Sequence, residues 1–198
     1  MTLHTALQGG TIVMKTLSGK IFGSLAVVLI LVLGGAGCSK GSDAGGSALG
    51  PDTKKANAAL NAGLKAQSSG DLTTAAKDYA RTLQYDPNNK FAYYNLALID
   101  AARSNYGLAE VKYRKALESD PKYEPALFNL AILRTGPDPK EATSLYRRAV
   151  ASNPKDASAW LNLGLLLRAS GEKAQGDLAV AKALKLNPKL VDPAKGKK

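Results

Sequence analysis

Side chains that could perform chemistry are few in this sequence of 198 residues. It has one cysteine, Cys38, and one histidine, His4. These numbers exclude an internal disulfide, a Cys/His zinc cage and a Cys–His catalytic pair. The chemistry that remains for a lone cysteine is covalent modification of its thiol.

Acidic side chains offer the other route to catalysis, as paired general acids and bases. Here they are scattered, and we expect them on surface positions of helices with no converging pair: Asp78, Asp100, Glu110, Glu118 and Glu141. No glycine-rich phosphate loop is present in the sequence either. We therefore expect a protein that is not an enzyme and that needs no metal or cofactor.

The residues before Cys38 have the pattern of a secretion signal. Met14 is followed by Lys15 and Lys20 and then by the apolar residues 21–33. A spanning helix needs about 20 apolar residues, so this shorter run predicts a cleaved signal peptide over residues 1–37. Met14 is the more natural start of the protein, in which case His4 is never made.

Cys38 directly follows the small residues Ala36 and Gly37. This resembles the lipobox of bacterial lipoproteins, although the branched residue usual three positions before the cysteine is replaced by Gly35. The resemblance implies that Cys38 is the lipidation site and that several acyl chains anchor the protein durably. The alternative is an ordinary small residue after a conventional signal peptide.

Residues 38–55 are predicted to be the lipidated cysteine and a tether. The stretch 39–50 holds four glycines and three serines, a composition that cannot bury enough apolar surface to fold. A flexible chain of this length spans on the order of 20 Å.

From residue 56 onward the sequence repeats. Four Asx-Pro pairs recur, with their prolines 34, 33 and 34 residues apart: Asp86-Pro87, Asp120-Pro121, Asn153-Pro154 and Asn187-Pro188. Proline cannot continue a helix, so each pair marks the end of a helical unit. The predicted units are 56–89, 90–123, 124–156 and 157–190, followed by a basic tail, 191–198.

Each unit also repeats an apolar pattern typical of two packed helices. A small residue recurs at one offset before each proline, where the helices must approach closely: Ala75, Ala109, Ala142 and Gly176. With Trp160, Leu163-Gly164 and Gly171 of the fourth unit, this resembles the tetratricopeptide repeat. The resemblance implies an all-α fold, a right-handed superhelical solenoid of four helix-turn-helix units.

In that family the first helices of the units line a concave groove, which the resemblance implies as the partner-binding surface. Eight apolar side chains take equivalent places there: Leu60, Leu64, Tyr94, Leu98, Phe128, Ile132, Leu161 and Leu165. Family members that clamp acidic peptides carry Lys or Arg there, so we expect an apolar or amphipathic partner segment. The alternative is that these side chains pack against neighbouring first helices.

One asparagine occupies the same place in every unit: Asn61, Asn95, Asn129 and Asn162. An amide both donates and accepts hydrogen bonds, so this row is predicted to bind the backbone of an extended peptide. The net charge of +11 is concentrated partly on a stripe of the second helices: Arg81, Lys115, Arg148 and Lys182. We interpret this stripe as a solvated outer face, and expect no nucleic-acid partner for an exported protein.

These patterns favour a membrane-anchored scaffold for protein–protein interaction in the bacterial envelope. Lipoproteins of this build resemble the pilotins of type IV pilus systems, and other relatives serve outer-membrane biogenesis. Ser39 in place of an inner-membrane retention Asp favours the outer membrane, facing the periplasm. The alternative is a self-associating structural lipoprotein, a homodimer through the groove, because no polar capping helix follows Pro188 and the last unit is expected to be exposed.

Overall fold

The computed structural model describes residues 51–194, so the predicted signal peptide, Cys38, nearly all of the tether and the last four residues lie outside the described part. All regular secondary structure in residues 51–194 is α-helical. The helices are α1 (Thr53–Ser68), α2 (Leu72–Tyr85), α3 (Lys90–Ala102), α4 (Tyr106–Ser119), α5 (Glu124–Arg134), α6 (Pro139–Ser152), α7 (Ala157–Ala169) and α8 (Lys173–Leu186).

The helices form four hairpins, α1–α2, α3–α4, α5–α6 and α7–α8, and each hairpin packs on the next through its second helix and the following first helix. Extensive contacts thus join only helices that are neighbours in the chain, which is the arrangement of a solenoid. The predicted all-α solenoid is confirmed. None of the helices in residues 51–194 has the length and apolarity needed to cross a bilayer.

Asx side chains start and stop these helices. Asp71 accepts a hydrogen bond from the Thr74 backbone N–H at 2.9 Å, which satisfies one of the free donors at the start of α2. The same N-cap bond occurs at Asp52, Asp71, Asn89, Asp138 and Asp156. At the other end, each Asx before a repeated proline is an extended C-cap: Asp86, Asp120, Asn153 and Asn187.

The turn inside each hairpin needs a residue with positive φ, except in the third unit. Gly70 and Gly171 take φ of 84° and 91°, and Ser104 takes 63° at the equivalent place. The third unit is one residue shorter, and there the Asp138 N–H bonds the Arg134 carbonyl at 2.8 Å directly. The missing residue changes this turn without breaking the stack, because Asp138 caps α6 and Pro139 begins it.

Small residues allow the two helices of each hairpin to touch. Ala75, Ala109 and Ala142 are completely buried, and Gly176 is buried at the same place in the fourth unit. A Cβ added to Gly164 would lie 2.7 Å from the Gly176 carbonyl oxygen and 2.8 Å from the Val180 nitrogen. At this point the backbones of α7 and α8 are in contact, and only glycine fits.

The end of the stack is partly covered by the segment after α8. Leu190 packs against the terminal cluster around Leu161 and Val180. Asp192 is buried and accepts hydrogen bonds from the Arg168 guanidinium, at 2.7 Å for the shorter one. The last unit, expected from the sequence to be exposed, is instead partly covered by Leu190 and Asp192 without a capping helix.

Replacing Gly164 by alanine should destabilise the protein by about 1–3 kcal/mol, because the neighbours of the new methyl group are backbone atoms that cannot move aside. The matched control is Gly107→Ala. Gly107 lies in α4 with open space around its Cα, so alanine should stabilise the protein by up to about 1 kcal/mol. Chemical denaturation of both variants measures the difference. A loss of stability in both, or in neither, would contradict the close contact of α7 and α8.

Candidate protein-binding groove

The twelve predicted groove residues all lie on the first helices of the hairpins, α1, α3, α5 and α7. Their exposure differs along the stack. In α1, Asn61 is exposed and Leu64 is 45% exposed, whereas Leu60 is half-buried against the cluster around Tyr79. The apolar surface of the groove is therefore most open in the first unit.

In the second and third units the apolar groove side chains are half-buried, because one side of each packs on the core. The Tyr94 ring lies 5.9 Å from the ring of buried Tyr113, and Phe128 lies 5.9 Å from buried Tyr146. Leu98 and Ile132 pack against the same core cluster and are likewise half-buried. These residues thus combine core packing with a partly exposed outer edge.

The fourth unit presents the least open part of the groove. Leu161 is buried and belongs to the terminal cluster that Leu190 covers. Leu165 and Asn162 are half-buried. The buried side of the apolar row thus packs mainly on second helices and the terminal segment rather than on neighbouring first helices. Burial is greatest in α7 and exposure is greatest in α1.

The asparagine row is partly occupied by bonds inside the protein. Asn95, itself buried, donates from Nδ2 to the Phe91 carbonyl at 2.8 Å, and Asn129 donates to the Pro125 carbonyl at 2.8 Å. Asn129 also donates to the Tyr94 hydroxyl at 3.3 Å, which links the second and third units. Within residues 51–194 neither amide oxygen receives a hydrogen bond, so the oxygens remain as acceptors for a partner's N–H groups.

An aromatic cluster at one rim of the groove was not predicted from the sequence. The Tyr123 ring contacts Phe91 and Tyr94 edge-on, at centroid distances of 5.7 and 5.4 Å. Lys90 lies over the Phe91 and Tyr123 rings and binds Asp120 at 2.6 Å. Burial raises the pKa of Tyr123 to about 12, so its hydroxyl stays neutral at physiological pH.

A carboxyl pair lies beside this rim. Glu124, at the start of α5, is within hydrogen-bonding reach of Asp156, the N-cap of α7. Burial and the proximity of Asp156 raise the pKa of Glu124 to about 7. The sequence signal was weak, because the two residues occupy adjacent rather than equivalent places in successive units. The expectation that no carboxylates converge is thus wrong for this pair.

The carboxylates singled out from the sequence are ion-paired in the structure. Asp78 and Asp100, expected on the surface, are buried, since Arg81 and Lys112 neutralise them. Glu110 and Glu141 do converge, which corrects the prediction, and both bind the same two arginines of α4 and α5. Glu118 is exposed and pairs with Lys115. The guanidinium and ammonium groups neutralise these carboxylates.

The basic stripe lies on the second helices, and its four residues are exposed as expected. Arg81 and Lys115 pair with carboxylates of their own helix, and Arg148 donates to the Pro121 carbonyl at 2.9 Å. Lys182 has no carboxylate within 4 Å among residues 51–194.

The comparison with protein families agrees with this geometry. The sequence profile of the tetratricopeptide repeat matches residues 55–124 and 136–189, which cover more than half of the chain. No curated protein matches the chain in sequence.

Solved structures share the fold. PilF of Pseudomonas aeruginosa is 26% identical with a TM-score of 0.61, over 70% of this chain and 64% of PilF, so this chain spans less than two thirds of it. MamA from Desulfovibrio magneticus RS-1 is 23% identical with a TM-score of 0.60, over 68% of this chain and 76% of that one. The first repeat domain of Spaghetti (RPAP3), bound to the HSP90 peptide SRMEEVD, is 22% identical with a TM-score of 0.57. The match covers 62% of this chain and 98% of that one.

The pKa of Glu124 predicts a pH dependence of stability. Because the pKa is about 7 in the folded chain against 4.5 ordinarily, the folded state holds a proton that the unfolded state releases. The stabilisation is complete below about pH 4.5 and is lost as the pH rises through 7. Between about pH 5 and pH 8, Glu124→Gln should therefore lose less stability than the wild type does. The difference should be below about 1 kcal/mol, because solvent screens this half-buried group.

Thermal melts at the two pH values measure this effect. Asp156→Asn is the matched variant, because asparagine still caps α7 but removes the neighbouring charge. Asp156→Asn should also reduce the pH dependence of stability. The double variant should reduce it little further than either single variant does. A wild-type pH dependence in Glu124→Gln would show that the two carboxyls do not interact.

Proposed function

The chain belongs to the tetratricopeptide repeat family, and we propose that it is a lipid-anchored scaffold of the bacterial envelope that binds an apolar or amphipathic segment of a partner protein. The observation that carries the proposal is the row of apolar side chains on α1, α3, α5 and α7, which keeps an exposed outer edge at Leu64. The partner would be a protein in envelope assembly, such as pilus secretin assembly or outer-membrane biogenesis.

A related fold in complex supports the protein-binding class. The repeat domain of RPAP3 is bound to the HSP90 peptide SRMEEVD, which is acidic. In this chain the corresponding groove positions carry apolar residues instead: Leu60, Tyr94, Phe128 and Leu161. Apolar surface gains about 25 cal/mol for each Å² removed from water, so these residues favour an apolar partner face over a row of carboxylates.

The groove is rigid before binding. Tyr94 is held by Tyr113, Tyr123 and the Asn129 amide, and Phe128 is held by Tyr146. A partner therefore orders few side chains of the groove, which lowers the entropic cost of association. The amide oxygens of Asn95 and Asn129 would accept backbone N–H groups of the partner whatever its sequence.

The membrane anchor supplies the second element of the proposal. A lipid on Cys38, joined to α1 by the Gly- and Ser-rich residues 39–50, would hold the groove near the bilayer and raise its effective concentration toward membrane-bound partners. Ser39 after the cysteine favours the outer membrane.

Replacing Cys38 by serine should release the protein from the membrane, because a serine hydroxyl cannot form the thioether to the lipid. In cells fed an alkyne-labelled fatty acid, the wild type should carry the label and sediment with membranes, and Cys38→Ser should do neither. Full membrane association of unlabelled Cys38→Ser would show that Cys38 is an ordinary residue.

A photo-crosslinking side chain placed at Leu64 should capture a partner from membranes, because Leu64 is the exposed apolar residue of the groove. Leu64→Glu should reduce binding of that partner at least about tenfold by putting a charge into the apolar contact. Affinity measurements with the captured partner check the effect.

Leu108 is the matched control, an exposed leucine of α4 at 55% exposure. A crosslinker at Leu108 should not capture the same partner, and Leu108→Glu should leave its affinity unchanged. If the chain instead associates with itself through the groove, sedimentation velocity would show a dimer that Leu64→Glu dissociates and Leu108→Glu does not. Equal capture from Leu64 and Leu108 would contradict the groove.

A further inference from the structure

Grooves also lie between second helices of successive units, with the first helix between them as the floor. Two such grooves are well formed, one between α4 and α6 of about 420 Å³ and one between α6 and α8 of about 450 Å³. They occupy equivalent places in the repeat, since Arg114 of the first corresponds to Arg147 of the second, and Leu130 corresponds to Leu163. The residues that line them nevertheless differ in chemistry.

Charged side chains of α4, α5 and α6 bind one another along the α4–α6 groove. Arg114 binds Glu110 at 2.8 Å and Glu141 at 2.7 Å. Arg134 binds the same two carboxylates, at 3.3 and 2.6 Å. Each of these four side chains thus has partners of opposite charge within the chain.

The α6–α8 groove does not have an equivalent network of ion pairs. The places of Glu110, Arg134 and Glu141 are taken by uncharged residues, in the order Thr143, Leu167 and Gln175. The exposed Ser144 is replaced by Leu178, which is 73% exposed. Together with Trp160 and Leu163, these changes turn a charged groove into an apolar one.

Two cations, Arg147 and Lys182, lie on either side of this apolar groove. Arg147 keeps only Glu172 as a carboxylate partner, at 3.1 Å, and contacts the Gln175 amide oxygen at 3.3 Å. Lys182, on the opposite side of Leu178, is exposed and has no carboxylate within 4 Å among residues 51–194. An apolar floor thus lies between two exposed cations, of which Arg147 lacks the Glu110 and Glu141 counterparts that bind Arg114 one repeat earlier.

We propose that the α6–α8 groove is a second docking site, for a protein segment that inserts a bulky apolar side chain beside Trp160 and Leu178 and places carboxylates on Arg147 and Lys182. The site lies on the second helices, so it goes beyond the proposed groove on the first helices. The carboxylate on Arg147 would take the place that Glu110 and Glu141 fill beside Arg114 in the preceding repeat. A second copy of this chain fits poorly, because its net charge is +11.

The volume of the groove suits one or two large side chains, within the usual range of binding pockets. Exposed ion pairs contribute little affinity by themselves, so burial of the apolar side chain supplies most of the binding and the carboxylates supply selectivity. An apolar segment flanked by lysines should be rejected by Arg147 and Lys182.

Trp160 makes the test direct, since it is the only tryptophan of the chain and lines the groove. The probe is a synthetic helical peptide with Phe and Leu one turn apart and Glu on both sides, titrated into the full chain while Trp160 emission is recorded. Its control is the same peptide with Lys in place of Glu. We expect saturable binding of the Glu peptide and at least about tenfold weaker binding of the Lys peptide.

Two substitutions locate the peptide. Leu178→Glu and Lys182→Glu should each weaken binding at least about tenfold, and both side chains are exposed, so the fold should survive, as circular dichroism checks. The matched control is Ser144→Glu, the equivalent place in the α4–α6 groove, which should change the affinity less than about twofold.

The proposal is overturned if the two peptides bind equally, if Trp160 shows no saturable change up to about 1 mM peptide, or if folded Leu178→Glu binds as the wild type does. Loss of binding in Leu64→Glu instead would place the peptide in the groove of the first helices. That result would overturn the second site and leave the proposed function intact.

Discussion

The contact between the two helices of each hairpin sets the geometry of the whole chain. At Gly164 and Gly176 the backbones of α7 and α8 meet so closely that a methyl group has no room, and completely buried alanines take the places of Gly176 in α4 and α6. Each hairpin is therefore a rigid unit of nearly constant shape. Because neighbouring units stack through the same surfaces, the spacing of the helices on both faces of the solenoid follows from this one contact.

Two kinds of groove result from the stacking, and they differ in what closes them. On the first helices, Tyr94 and Phe128 fill part of the groove from within by packing on Tyr113 and Tyr146. On the second helices, the two grooves differ in the charge of the side chains that lie along them. Four ion pairs occupy the groove between α4 and α6, whereas the loss of Glu110, Arg134 and Glu141 from their equivalent places leaves the next groove apolar.

Several features of the fold could be predicted because they depend on neighbours in the chain. The Asx-Pro pairs end the second helices since proline excludes helical backbone at the preceding residue, and Asp138 with Pro139 starts α6 for local reasons too. The pair of Glu124 and Asp156 could not be predicted in this way. It joins two places that are not equivalent in the repeat, so no periodicity reveals it, and only the distance between α5 and α7 brings the carboxyls together.

The sequence by itself therefore determined the repeat, the helical hairpins, the small residues at their crossings and which side chains lie on the first helices. These follow from backbone preferences and from apolar spacing within one unit. Only the tertiary structure decided how exposed each groove residue is, since Leu64 and Leu161 belong to the same predicted row yet one is 45% and the other 7% exposed. The physical reason is that burial depends on what packs against the helix from elsewhere in the chain. Leu161 lies in the cluster that Leu190 covers, and no local pattern in the sequence encodes that contact.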